Sequence, residues 1–116
     1  MIESSCICGA VRLEITRAPD EVTDCNCTLC RRYGALWAYY SPKDVSVPTG
    51  LTDTYSRPPK KIEFHRCKTC GCVTHWSPTD GRNGMGVNAR LMEPDVLARA
   101  RVRRLDGLKT WKYLDE

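Results

Sequence analysis

Residues 25–30 read CNCTLC, three thiols in six positions, with RRYG following at 31–34. Core packing needs no such crowding, and cysteines this close rarely bond one another. The other five cysteines also fall in knots, Cys6-x-Cys8 and Cys67-x-x-Cys70-x-Cys72. Thiols separated by one or two residues suit a cation that several sulfurs share.

Disulfides are the competing use of eight cysteines. The start, MIESSCICGAV, has neither the basic lead nor the apolar run of a signal peptide, and no stretch approaches the ~20 apolar residues of a membrane span. The expected compartment is therefore the cytoplasm, where thiols stay reduced and metal binding outweighs disulfide formation.

A structural zinc takes four protein ligands, whereas a catalytic zinc keeps three and leaves one position open. Seven cysteines divide that way. Cys6 and Cys8, two apart at the first hairpin, point to one side if they lie on a strand. CKTCG is a knuckle in which Gly71 supplies the turn conformation. Cys6, Cys8, Cys67 and Cys70 would close a four-thiolate site. Cys25, Cys27 and Cys30 remain as a three-sulfur set, so two zincs per chain are expected. Cys72 has three readings: a buried free thiol, a fourth ligand for the second set, or a swapped ligand of the first. His65 and His75 lie outside any metal spacing and read as packed or surface strand residues.

Around these knots the chain reads as short strands. Val11, Leu13 and Ile15 alternate in VRLEI; ALWAYYS at 35–41 is apolar nearly throughout, as in a strand covered on both faces. KIEFHRC and CVTHWS continue the pattern, Met85, Val87, Ala89 and Leu91 alternate in MGVNARLM, and RVRRL is a last strand. Helix is confined to one turn in TLCRRYG and a short helix in EPDVLARA, with Pro94 near its start. Turn clusters such as RPPKK, SPTDGRNG and LDG punctuate the runs. A single domain over residues 1–116 is expected, mainly β, built of small antiparallel sheets. With one Phe, three Trp and five Tyr the core is thin, and bound metal is the expected supplement.

The segments SCICGAVRLEI, CNCTLCRRYGALWAYY, CKTCG, GVNARLMEPDVL and VRRLDGLKTWKYLD together resemble the glutathione-dependent formaldehyde-activating enzyme family, to which centromere protein V also belongs. The resemblance spans nearly the whole chain. It implies a zinc-stabilised β-tent fold, a structural zinc on Cys6, Cys8, Cys67 and Cys70, and a catalytic zinc on Cys25, Cys27 and Cys30. The implied activity is that of a carbon–sulfur lyase joining glutathione or a similar thiol to formaldehyde or a related aldehyde. Cys72 departs from the pattern, which more often has Thr or another small residue there.

Arg31 and Arg32, directly after the last thiol, are candidates to counter the site's negative charge or to meet a substrate carboxylate. Trp37, Tyr39 and Tyr40 read as core, with pocket lining as the alternative. The net charge of +4, from 18 basic and 14 acidic residues, gives little ground for nucleic-acid binding. The alternative to an enzyme is a zinc-stabilised interaction module. Arg99, Arg101, Arg103 and Arg104 cluster near the end; if the stretch is extended the first three lie on one face as an anion-binding stripe, or the run is simply a charged edge strand. Exposed strand edges allow a monomer or a homodimer.

Overall fold

In the computed structural model, which describes residues 1–115, the chain is mainly β, with ten strands in two sheets and two short helices. Strands β1 (Ile2–Ser5), β2 (Arg12–Ile15) and β5 (Val45–Ser46) form a small antiparallel sheet in the order β1-β2-β5. The larger sheet contains β3 (Glu21–Cys25), β4 (Trp37–Tyr40), β6 (Thr52–Tyr55), β7 (Ile62–Cys67), β8 (Val73–Pro78), β9 (Met85–Asn88) and β10 (Arg101–Leu105). Its order is β10-β3-β4-β9-β8-β7-β6. No helix among the described residues is long and apolar enough to cross a membrane.

Period-two alternation sorts the large sheet's side chains onto two faces. On one face Val22, Ala38, Tyr40, Met85 and Val87 pack with Leu13, Ile15 and Val45 of the small sheet, which forms the main core. The other face of β4 sends Trp37 into a second cluster with Cys25, Cys27, Cys30 and Phe64. The apolar run of ALWAYYS is thus explained by two different coverings, one aliphatic and one aromatic and sulfur-rich.

Three expectations are corrected in detail. First, β10 pairs parallel to β3, Arg101 opposite Glu21, so the large sheet is not wholly antiparallel. The crossover through α2 (Pro94–Arg99) causes this: β9 and β3 both run antiparallel to β4, and a helical crossover returns the chain in the direction of β9. Second, alternation through MGVNARLM stops at Asn88. Its side-chain Oδ1 accepts the Arg90 N–H at 3.2 Å and initiates a 3-10 turn over Ala89–Leu91. Third, Cys6 and Cys8 lie in the turn between β1 and β2 rather than on a strand, tightened by the Gly9 N–H donating to the Cys6 carbonyl at 3.1 Å.

The arginine stripe is not a continuous strand either, since Arg99 ends α2. Arg99 pairs with Asp95 (4.0 Å), Arg101 with Asp115 (3.8 Å) and Arg103 with Glu21 (3.4 Å). Arg103 also stands 3.8 Å over the ring of Tyr113. Carboxylates of the chain itself already answer most of this charge, and β10 serves as the edge of the sheet.

Candidate metal centres and the adjoining cavity

None of the eight cysteines is in a disulfide. The Sγ atoms of Cys6, Cys8, Cys67 and Cys70 lie within 4.8 Å of one another, and so do those of Cys25, Cys27 and Cys30. In the first group the Cys6–Cys8 and Cys8–Cys67 sulfurs are each 3.6 Å apart. Zn–S bonds of about 2.3 Å at tetrahedral angles require sulfurs roughly 3.8 Å apart, so the donor set fits a metal ion of that kind.

Backbone amides are aimed at the same sulfurs. Val11 N–H donates to Cys6 Sγ (3.3 Å), while Thr69 and Cys70 N–H donate to Cys67 Sγ (3.4 and 3.5 Å). The knuckle curls because Gly71, at φ +80°, turns its N–H back to the Cys67 carbonyl at 3.0 Å. N–H groups that converge on sulfur favour the thiolate. Cys70 is accordingly held down to about 5, chiefly by the amides of Cys72 and Cys8.

Cys72 belongs beside this first group, packed with Cys6, Val11, Cys67 and Cys70. Its carbonyl accepts the Cys67 N–H at 2.9 Å. It is outside the second group, which removes the reading of Cys72 as that group's fourth ligand.

The second group is built by the end of β3 and by α1 (Cys30–Tyr33). Cys25 closes the strand, Cys30 starts the helix, and the Cys30 N–H donates to Cys27 Sγ at 3.2 Å. Trp37, only 2% exposed, reaches across from β4 and donates its indole N–H to Cys30 Sγ at 3.4 Å. The Cys25 thiol is lowered to about 6, first by a hydrogen bond from Cys30 and further by the amides of Cys27 and Gly107. Among the described residues no further Cys, His, Asp or Glu joins these three thiols.

Gly107 covers this group from the other end of the chain. A Cβ there would overlap Cys25 Sγ, so only a bare backbone passes this close to the sulfur. The loop that carries Gly107 is tied down through Asn26, the residue between two of the thiols. Asn26 Nδ2 donates to Asp106 Oδ1 (3.1 Å), and Asn26 Oδ1 accepts the Leu108 N–H (3.0 Å).

The three thiols open into a cavity of about 350 Å³. Its walls include Trp37, Phe64, Trp76 and Trp111, and its basic residues are Arg57, Lys61 and Arg82. Trp76 packs flat over Gly86, where a Cβ would meet Cδ1 and Cε2 of the indole at 2.6 Å. Tyr39, half exposed, meets Trp76 edge-on with ring centroids 6.1 Å apart. Of the three aromatics read as core, Tyr40 is core alone, Trp37 is both core and wall, and Tyr39 is wall.

Arg31 and Arg32 are exposed and do not line the cavity. Arg32 spends an N–H on the Thr28 carbonyl at 2.7 Å. The short helix carries both side chains away from the sulfurs. Gly107, Asn26, Trp111, Trp76 and the basic trio were not singled out from the sequence. A Trp inside the polar turn LDGLKTW was the one visible signal among them.

The histidines stand apart from both groups. His65 and His75 stack across β7 and β8, centroids 4.1 Å apart and planes 10° from parallel. Thr52 and Ser77 hydroxyls hold the two ring nitrogens of His65, and Thr74 holds Nδ1 of His75.

Over residues 1–103 the sequence matches the family described as glutathione-dependent formaldehyde-activating enzyme. The chain belongs to this family. The fold is also similar to the crystal structure of a Rhodobacter sphaeroides protein, at 26% identity and a TM-score of 0.71. That likeness covers 86% of this chain and 98% of the other. Within the glutathione-dependent formaldehyde-activating family, two cysteine groups able to hold metal ions are thus present in this member.

Proposed function

We propose that this protein is a zinc-dependent carbon–sulfur lyase of the kind for which its family is named. Cys6, Cys8, Cys67 and Cys70 would hold a structural zinc; Cys25, Cys27 and Cys30 would hold a second. Bound there, zinc supplies a Lewis-acidic position that takes an incoming thiol as its thiolate at neutral pH. The net reaction joins a thiol such as glutathione to formaldehyde or a related aldehyde. A sulfur–carbon bond forms, the carbonyl π pair moves to oxygen, and the oxygen takes the proton that the thiol gave up. The reverse direction releases the aldehyde.

The observation that carries this reading is the three-thiol group without a fourth protein ligand among the described residues, lining a cavity. The chain's own residues prepare that place. Trp37 and the Cys30 amide stabilise negative sulfur. Three thiolates and Zn²⁺ sum to −1, and a bound thiolate would bring −2. Arg57 and Lys61, which line the cavity, are better placed than Arg31 and Arg32 to offset that charge.

The test is metal content together with X-ray absorption. Two zincs per chain are expected, and titration with glutathione should add one sulfur to the shell of the second. A first shell unchanged at saturating thiol overturns the proposal.

A further inference from the structure

The cavity is much larger than the smallest aldehyde requires. At about 350 Å³ it has room for about twelve waters at ~30 Å³ each. That is the scale of a drug-sized ligand site. Much of its wall suits an apolar body better than a polar peptide, because Trp37, Phe64, Trp76, Trp111, Ile62 and Leu105 present rings and aliphatic carbon.

Trp111 is the most informative of these. Its backbone adopts φ +58°, a conformation that costs a non-glycine residue energy and persists only where the surroundings enforce it. Here the Trp111 N–H donates to the Asp106 carbonyl at 2.7 Å, and Asp106 is in turn held by Asn26 and Thr110. The loop thus keeps a large indole at the cavity while leaving it 69% exposed. An indole fixed at such a cost, with an open face, is matched to an apolar surface brought by a ligand.

Charge completes the description. Arg57, Lys61 and Arg82 line the cavity, and among the described residues no Asp or Glu does. Asp80 pairs with Arg82 at 2.7 Å and offsets its charge. Arg57 donates to the neutral Thr28 hydroxyl at 2.8 Å. Among the described residues no carboxylate lies within ion-pair distance of Arg57 or Lys61.

We infer that the thiol accepted at Cys25, Cys27 and Cys30 has an apolar, ring-sized body that lies against Trp76 and Trp111 and an anionic group that meets Arg57 and Lys61. This rests on the proposed open second centre and narrows its substrate class. The body ranks it above small polar thiols and above glutathione, which the centre still accepts but more weakly, because its polar amides would meet apolar walls.

Calorimetric titration of the zinc-loaded protein tests this with five probes: para-(mercaptomethyl)benzoate, benzyl mercaptan, mercaptopropionate, mercaptoethanol and glutathione. The aromatic carboxylate thiol should bind at least about tenfold tighter than mercaptoethanol and than glutathione. Removing its carboxylate should cost about threefold. Trp111→Ala should erase most of the advantage of the ring, whereas a combined Arg57→Ala and Lys61→Ala variant should erase only the advantage of the carboxylate. X-ray absorption on the same samples separates the two possible failures. If sulfur enters the zinc shell from every probe with similar affinity, the open centre stands and this inference falls. If sulfur enters from none, both fall.

Discussion

Gly107→Ala places one methyl group between the C-terminal loop and the second set of thiols. The added Cβ would stand about an ångström inside the ~3.5–4.0 Å contact distance from Cys25 Sγ. It would also lie 3.5 Å from Cys27 Cβ, which blocks escape in that direction. Neither neighbour is the tip of a flexible chain: Cys25 closes β3, and the loop is pinned by both amide atoms of Asn26. Overpacking of this kind costs about 1–3 kcal/mol, and at ~1.4 kcal/mol per factor of ten the second metal should bind roughly 5- to 150-fold more weakly. Competition with a graded chelator, read as metal per chain, measures this. The first centre, with no atom near Gly107, should keep its affinity and the fold its far-ultraviolet circular dichroism. Wild-type affinity at both centres in Gly107→Ala would refute the claim that the loop rests on Cys25.

Three further outcomes are expected. Cys70→Ser should remove one ligand of the group joining the β1–β2 turn to the knuckle after β7; metal at such sites is worth about 10–16 kcal/mol against total stabilities of ~5–15, so thermal melts should show the variant largely unfolded. Trp37→Phe keeps an aromatic wall but loses the N–H on Cys30 Sγ; hydrogen bonds to charged groups are worth ~1.5–3 kcal/mol, so chelator competition should show metal at the second centre weakened by about ten- to a hundredfold. His75 is buried, which lowers it to about 3, so it is neutral in the fold and takes up a proton on unfolding below ~6.5. Its contribution is complete above that pH and falls as the solution is acidified; about 2 kcal/mol should be gone by pH 5 at ~1.36 kcal/mol per unit. Denaturant titrations at pH 7 and 5 should show that loss diminished in His75→Gln, and equal losses in the two proteins would refute it.

The cysteine groups were legible because thiols able to share one ion recur at short, local spacings, and Cys25, Cys27 and Cys30 arrive together whatever the sheet does. Strand β4 was legible from its continuous apolar run, and β7 and β8 from their aromatic and β-branched alternation. Strand β6 was not, since Thr52–Tyr55 lies largely exposed and has no apolar face to reveal it. The parallel edge was hidden for another reason: RVRRL shows a strand, but only the crossover through α2 sets its direction. The cavity was the least legible part. Its walls come from β4, β7, β8, the 57–61 turn, the loop carrying Arg82 and the 105–111 stretch, which register and topology bring together. Trp76 looks like any strand aromatic until Gly86 is found beneath it, and Arg31 and Arg32 drew attention by adjacency in sequence, which a short helix turned into separation in space.

The tract that matches the family ends at residue 103, and all eight cysteines lie inside it. Gly107 and Trp111 lie past it, on the loop that Asn26 fastens to the sulfurs. The thiols and part of the cavity wall are therefore carried by separate stretches of chain, the wall's share reaching the sulfurs only through a short loop. A change at Trp111 would reshape that wall and leave all three sulfurs where they stand.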